Sequence, residues 1–156
     1  MLRTGKPETI ISAFQDLLDK TPPDLAHLRP SSDAWTLTEI VGHLVDSASN
    51  NHQRFARLRL EDLENFPGYD AESWVYAQSY DTCDFKALST LWTSYNMLLL
   101  HLATTTPQDV LKNVWTHQGE PQTLEFLIAD YYSHLLLHIE HYSDRLAEVL
   151  SKNNRD

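Results

Sequence analysis

Residues 123–145 read TLEFLIADYYSHLLLHIEHYSDR, and this stretch decides the fold class. Its apolar side chains recur every three to four positions, and through residues 124–139 they occupy most sides of the helical cylinder. The pattern predicts one long helix from Thr123 to about Lys152. A helix that is apolar on most sides must be buried by several neighbours, so the stretch favours an all-α protein.

Three further long helices are predicted before it. The first covers residues 7–20, and the Pro22-Pro23 pair ends it. The second opens at Thr36-Leu37-Thr38-Glu39, a capping box in which Thr36 and Glu39 satisfy each other's backbone amides, and it lasts until about Asp62. The third starts near Asp84 and stops before Pro107.

The connections between these helices differ in length. Residues 63–84 are turn-rich and aromatic, and a loop this long usually has a role such as a lid or a binding loop. Residues 106–109 could start one short helical piece, and residues 116–122 are typical of a turn. Four long helices with one long connection predict a four-helix bundle, in a single domain of residues 1–156.

Composition narrows the classes of function. The formal charge is −10, from 12 basic and 22 acidic residues, and no basic run occurs, which argues against nucleic acid and anionic membranes as partners. Cys83 is the only cysteine, so no intrachain disulfide can form. No signal-peptide pattern and no apolar run of about 18 residues is present. We therefore expect a cytoplasmic protein that acts on a small molecule.

The last predicted helix carries a row of histidines. His134 and His138 are four residues apart and His141 follows three later, so the rings share one helix face with Tyr131 and Arg145 at its ends. Two histidines at this spacing can bind one metal ion from a single helix. The alternative is that they are hydrogen-bonded core residues without a metal.

The second predicted helix carries a polar seam beside its apolar stripe. His43 begins this seam and is the candidate for a third metal ligand, because bundle metal sites form where facing helices project polar side chains inward. Asp46, one turn later, is the best candidate for a general base, and Arg54 or Arg145 could hold a substrate carboxylate. Alternatively, the seam is simply a solvated face.

A site of three neutral imidazoles on a divalent ion keeps open positions, as catalytic sites do. Imidazole suits zinc, nickel, copper and iron, so the ligands alone leave the ion open. His141 and Tyr131 are candidates for hydrogen-bond partners that support the ligands or for an extra ligand, and both could equally be packing or surface residues.

These motifs together resemble the DinB-like, or YfiT-like, metal-binding superfamily, which is distinct from the DNA polymerase of the same name. The resemblance covers about residues 8–150. The family pattern runs from a tryptophan through a glutamate to a His-Leu pair, then to two histidines four apart and a Gln, Asn or His three later. The matching residues here are Trp35, Glu39, His43, Leu44, His134, His138 and His141.

The resemblance implies an up-down-down-up four-helix bundle, often a homodimer, with one divalent zinc or nickel ion on His43, His134 and His138. Its known activities include transferases that use low-molecular-weight thiols such as bacillithiol or mycothiol, and a maleylpyruvate isomerase. The leading hypothesis is therefore a metal-dependent thiol S-transferase with a thiol cosubstrate. The alternatives are a hydrolase that uses metal-bound water and a non-catalytic, stress-associated metal-binding dimer.

Overall fold

A computed structural model describes residues 6–154 of the chain, so the ends of the predicted domain, residues 1–5 and 155–156, lie outside the described residues. The described part contains five α-helices and a small three-stranded sheet. The helices are α1 (Pro7–Lys20), α2 (Leu37–Leu58), α3 (Ala71–Ala77), α4 (Phe85–Thr105) and α5 (Leu124–Asn153). The strands are β1 (Leu63–Glu64), β2 (Val114–His117) and β3 (Glu120–Thr123).

Helices α1, α2, α4 and α5 form the predicted bundle. Helix α5 runs antiparallel to α2, α4 runs parallel to α2, and α1 runs parallel to α5. Trp35–Arg145 and Phe55–Tyr131 contacts join opposite ends of α2 and α5. His52–Tyr95 and Arg59–Thr105 contacts join matching ends of α2 and α4. For α1 and α5, Thr21 contacts Tyr142, and Pro7 shares a cleft with Tyr132. The order is up-down-down-up, which confirms the predicted fold.

Aromatic rings from three helices fill the centre of the bundle. Phe14 of α1 packs edge-on against Trp92 of α4 and Tyr142 of α5, with ring centroids 4.7 and 5.1 Å away. The buried Tyr142 hydroxyl lies 2.8 Å from the Thr21 hydroxyl. Edge-to-face rings of this kind add to the free energy of burial, so the central layer fixes the spacing of the helices. No helix in residues 6–154 has the length and apolar character to cross a bilayer.

The connection from α2 to α4 is long because the two helices are parallel. Helix α2 has 22 residues and spans about 33 Å, and the chain must travel back over this length before α4 begins. Residues 63–84, predicted as a loop, contain β1, α3 and a short 3-10 helix at Tyr80–Thr82. The Asp70 side chain caps α3 by accepting a hydrogen bond from the Ser73 amide at 2.8 Å.

Three predicted boundaries differ from the structure. Helix α2 ends at Leu58, not near Asp62, because Leu63 then pairs in parallel with Trp115 of β2. Residues 106–109 start no helix, and the chain turns there instead. Residues 116–122 do contain a turn, at Gln118–Gly119 with positive φ at both positions, but their flanks pair as the β2–β3 hairpin.

Candidate metal centre

The start of α2 is fixed by a network around Glu39. The Thr36 hydroxyl accepts from the Glu39 amide at 3.1 Å, and the Glu39 carboxylate accepts from the Thr36 amide at 2.7 Å, which completes the capping box. Arg29 donates two hydrogen bonds of 2.9 and 3.0 Å to the same carboxylate. Burial raises the pKa of Glu39, but these hydrogen bonds hold it below its usual value. His43 follows one turn later on the anchored face.

A second contact positions α2 beside His43. A Cβ atom at Gly42 would lie 2.2 Å from the Tyr80 ring, so only glycine allows this approach. The Tyr80 hydroxyl donates to the Asp46 carboxylate at 2.7 Å, and the Gln78 amide donates to both of its oxygens at 2.9 and 3.0 Å. The connection between α2 and α4 is thereby clamped to the same turn of α2 that carries His43.

Three imidazoles converge between α2 and α5. The Nε2 atom of His138 lies 3.1 Å from Nε2 of His43 and 3.0 Å from Nε2 of His134. The candidate ligand atoms of the three residues all lie within 4.8 Å of one another. The separate motifs in α2 and α5, which are 95 residues apart for His43 and His138, therefore meet in space.

These distances fit a shared cation better than hydrogen bonds. A ring nitrogen carries either one proton or one lone pair, so the His138 nitrogen cannot make two good hydrogen bonds at once. Nitrogens bound to one ion at about 2.0–2.1 Å, with angles of about 90–110°, lie about 2.9–3.4 Å apart. The three residues could therefore hold a metal ion.

The electrostatics keep these rings neutral. Burial, with smaller effects from the neighbouring histidines, lowers the pKa of His43 to about 4 and that of His138 to about 3. Burial also lowers the pKa of His134. Neutral imidazole is the form that binds a metal ion, so no proton has to be displaced at neutral pH.

The remaining predicted residues lie around this cluster. The His141 ring centroid is 6.3 Å from that of His138, and the residue is outside the cluster of candidate ligands. The Tyr131 hydroxyl donates to the Asn96 side chain at 2.6 Å, and Arg145 donates to the Trp35 carbonyl and pairs with Glu148. It stays a prediction that His141 and Tyr131 support the ligands or add one, and that Asp46 acts as a general base.

A small cavity lies next to His134. It has a volume of about 160 Å³, and His134 and Arg54 both line it. The buried Arg54 guanidinium lies over the Trp115 ring, 4.2 Å from its centroid. The other lining residues are Ser47, Asn51, Tyr69, Trp115, Gln122, Leu127, Asp130 and Tyr131.

Two walls of this cavity come from outside the long helices. Tyr69 belongs to the connection between α2 and α4, and Trp115 to the hairpin. A binding-loop role was predicted for residues 63–84, which include Tyr69, whereas no prediction covered Trp115. The proximity of Trp115 to His117 in sequence was a local signal that could have pointed to it. The His117 ring stacks on Trp115, with centroids 4.9 Å apart.

An up-down-down-up bundle with three convergent histidines between its second and last long helices defines a class of metal-binding helical proteins. Residues 8–142 match the family model of the DinB superfamily, and the chain belongs to that superfamily. No curated protein matches the sequence.

Among solved structures, the chain is similar to YfiT from Bacillus subtilis, described as a probable metal-dependent hydrolase with an unusual four-helix bundle topology. The TM-score is 0.75 at 21% sequence identity, and the match covers 93% of this chain and 87% of that chain. At this identity the likeness concerns the fold.

Proposed function

We propose that the protein is a divalent-metal-dependent enzyme that transfers a low-molecular-weight thiol to a small electrophile. The observation that carries this proposal is the convergence of the His43, His134 and His138 nitrogens beside a cavity. Zinc and nickel both suit three imidazole donors. Such an ion supplies Lewis acidity, which deprotonates a coordinated thiol or lowers the pKa of a coordinated water.

The surroundings of the histidines favour thiol transfer over hydrolysis. A thiol whose proton is lost on coordination needs no carboxylate base, whereas hydrolysis gains from a base that is placed beside the attacking water. Asp46 is the best candidate base, yet Tyr80 and Gln78 occupy its carboxylate. Within residues 6–154, no hydrogen bond joins Asp46 to the three histidines.

The packing of the chain prepares the site for such a reaction. The Trp35 ring lies against the buried His43, with centroids 5.3 Å apart. His134 lines the cavity that Arg54 and Tyr131 also line. A substrate bound in this cavity would lie beside His134.

A comparison of thiol-dependent and thiol-independent turnover tests the proposal. Zinc-loaded protein is incubated with chlorodinitrobenzene and, in turn, cysteine, glutathione, bacillithiol and mycothiol, and product absorbance is followed. We expect at least one thiol to react faster than its uncatalysed background, and His138→Ala to abolish the excess rate. His101→Ala, an exposed histidine on α4, is the matched control and should keep it. Equal rates with and without wild-type protein for every thiol would argue against thiol transfer.

Hydrolysis is the second candidate, because the structurally similar YfiT is described as a probable metal-dependent hydrolase. It predicts cleavage of nitrophenyl esters by zinc-loaded protein in the absence of any thiol. It also predicts that Asp46→Asn slows this cleavage, if Asp46 is the base. Ester cleavage that is absent, or unchanged by His138→Ala, would remove this candidate.

A non-catalytic metal-binding dimer is the third candidate. The cavity beside His134 argues against it, because a purely structural site needs no adjacent space. Dimer formation itself is a separate proposal, supported by apolar side chains left exposed on α4, among them Leu91, Met97 and Leu98. Sedimentation equilibrium of the full chain tests it, and a monomer mass at all concentrations would refute it.

A further inference from the structure

Arg54 differs from the other arginines that anchor the bundle. The residue is 9% exposed, and its Nε atom is buried without a hydrogen-bond partner. Arg29 and Arg145 each pair with a carboxylate, that of Glu39 and that of Glu148. In the part of the chain that the structure describes, no carboxylate lies within ion-pair distance of Arg54. A buried cation without a counter-ion is costly, so its position calls for an anion from outside the chain.

The position of this guanidinium is fixed by its neighbours. It lies over the Trp115 ring at 4.2 Å, which is a cation–π contact. The Trp115 indole donates a hydrogen bond of 3.0 Å to the Phe66 carbonyl, and the His117 ring stacks on it. These contacts hold the Arg54 side chain in place before any ligand arrives, which reduces the entropy lost on binding.

The cavity joins this cation to the histidine cluster. Arg54 and His134 belong to the same lining, and the side chains of Ser47, Asn51 and Gln122 add hydrogen-bonding groups. A volume of about 160 Å³ is below the roughly 300–1,000 Å³ of sites for drug-sized ligands, so it suits a small acid or the acid end of a longer molecule. Asp130 also lines the cavity but is exposed.

We propose that this cavity is a carboxylate subsite, in which Arg54 binds the acid group of the substrate and directs its reacting end towards His43, His134 and His138. A guanidinium binds a carboxylate with two parallel hydrogen bonds. A single cation, in a cavity that Asp130 also lines and in a chain of formal charge −10, matches a monoanion better than a doubly charged phosphate. That the reacting end of the substrate meets the three histidines rests on the proposed function, but binding of the acid group can be tested without turnover.

An NMR titration of the zinc-loaded full chain with propionate tests the subsite, and propionamide serves as the neutral ligand of the same shape. We expect propionate to shift signals of residues that line the cavity and to bind about tenfold or more tightly than propionamide. Arg54→Met should weaken propionate binding by about tenfold or more. The matched control is Arg57→Met, which alters an exposed arginine on the same helix that also contacts an aromatic ring, and it should leave the affinity within about twofold.

Two further arms separate the subsite from its alternatives. Chelator-treated wild type should still bind propionate in an Arg54-dependent way, which would hold even if the proposed metal chemistry failed. Arg54→Lys keeps the positive charge but lacks the planar guanidinium, and it should bind propionate more weakly than wild type. This variant replaces Arg54→Met if the methionine variant does not fold. Propionate binding that both Arg54 variants leave unchanged would overturn the subsite. Binding that disappears when the metal is removed would place the acid on the ion and would also overturn the subsite.

Discussion

Replacing Gly42 with alanine tests how closely the α2–α4 connection packs against the metal-site turn of α2. The new Cβ atom would lie 2.2 Å from Tyr80 Cδ2 and 2.3 Å from its Cγ atom. The Cγ atom is at the base of the ring and cannot swing aside on its own. Tyr80 must therefore move as a whole, and its 2.7 Å hydrogen bond to the buried Asp46 carboxylate is then lost.

Three contributions set the size of the effect. Alanine favours a helix interior over glycine by about 1 kcal/mol. Overpacking costs about 1–3 kcal/mol, and loss of a hydrogen bond to a charged group costs about 1.5–3 kcal/mol. The net expectation is a destabilisation of about 1.5–5 kcal/mol, which lowers the Tm of a chain of this length by about 3–20 °C.

Urea unfolding followed by circular dichroism measures this change. The same substitution is also measured in a Tyr80→Ala chain for comparison. In a Tyr80→Ala chain the ring is absent, so Gly42→Ala should be neutral or stabilising by up to about 1 kcal/mol. The reversal of sign between the two backgrounds is the diagnostic result. A Gly42→Ala variant that is as stable as wild type, or more stable, would refute the close packing of Tyr80 on this turn.

Two further predictions concern charge. Glu39→Gln keeps the shape of the side chain but removes its charge from the pair with Arg29, and it should lower the urea-unfolding free energy by about 1.5–3 kcal/mol. The control Glu61→Gln changes an exposed glutamate and should alter this free energy by less than about 0.5 kcal/mol. Equal effects of the two variants would contradict the anchoring role of Glu39. In metal-free protein the pKa values of His43 and His138 are about 4 and about 3 and lie below the unfolded value of about 6.5, so the unfolded chain binds more protons between these limits. Stability should therefore be full above about pH 6.5 and fall as the pH drops towards about 4, as urea midpoints at several pH values will show, and a double His43→Gln, His138→Gln variant should flatten this dependence.

The long helices could be predicted because their signals are local. The capping box at Thr36, the paired prolines after α1 and the apolar periodicity of α5 each act within a few residues. The small sheet could not be predicted in the same way. Strand β1 has two residues, and Leu63 pairs with Trp115, which lies 52 positions later, so no local pattern marks it as a strand.

The candidate site follows the same division. Histidine spacing within α5 and the polar seam of α2 were enough to predict His43, His134 and His138 as candidate metal ligands. The structure places these three residues together. The partners of the seam were not predictable, because Tyr80 and Gln78 reach Asp46 from the connection between α2 and α4. Trp115, which holds Arg54, comes from the hairpin.

Metal content is the most direct test of the three-histidine centre. Protein purified without a metal-affinity tag is analysed by inductively coupled plasma mass spectrometry, for wild type, His138→Ala and the exposed His101→Ala control. We predict about one zinc or nickel ion per chain in wild type and control, and loss of the ion in His138→Ala. No metal in wild type even after divalent ions are added, or the same metal content in His138→Ala as in wild type, would contradict the metal centre.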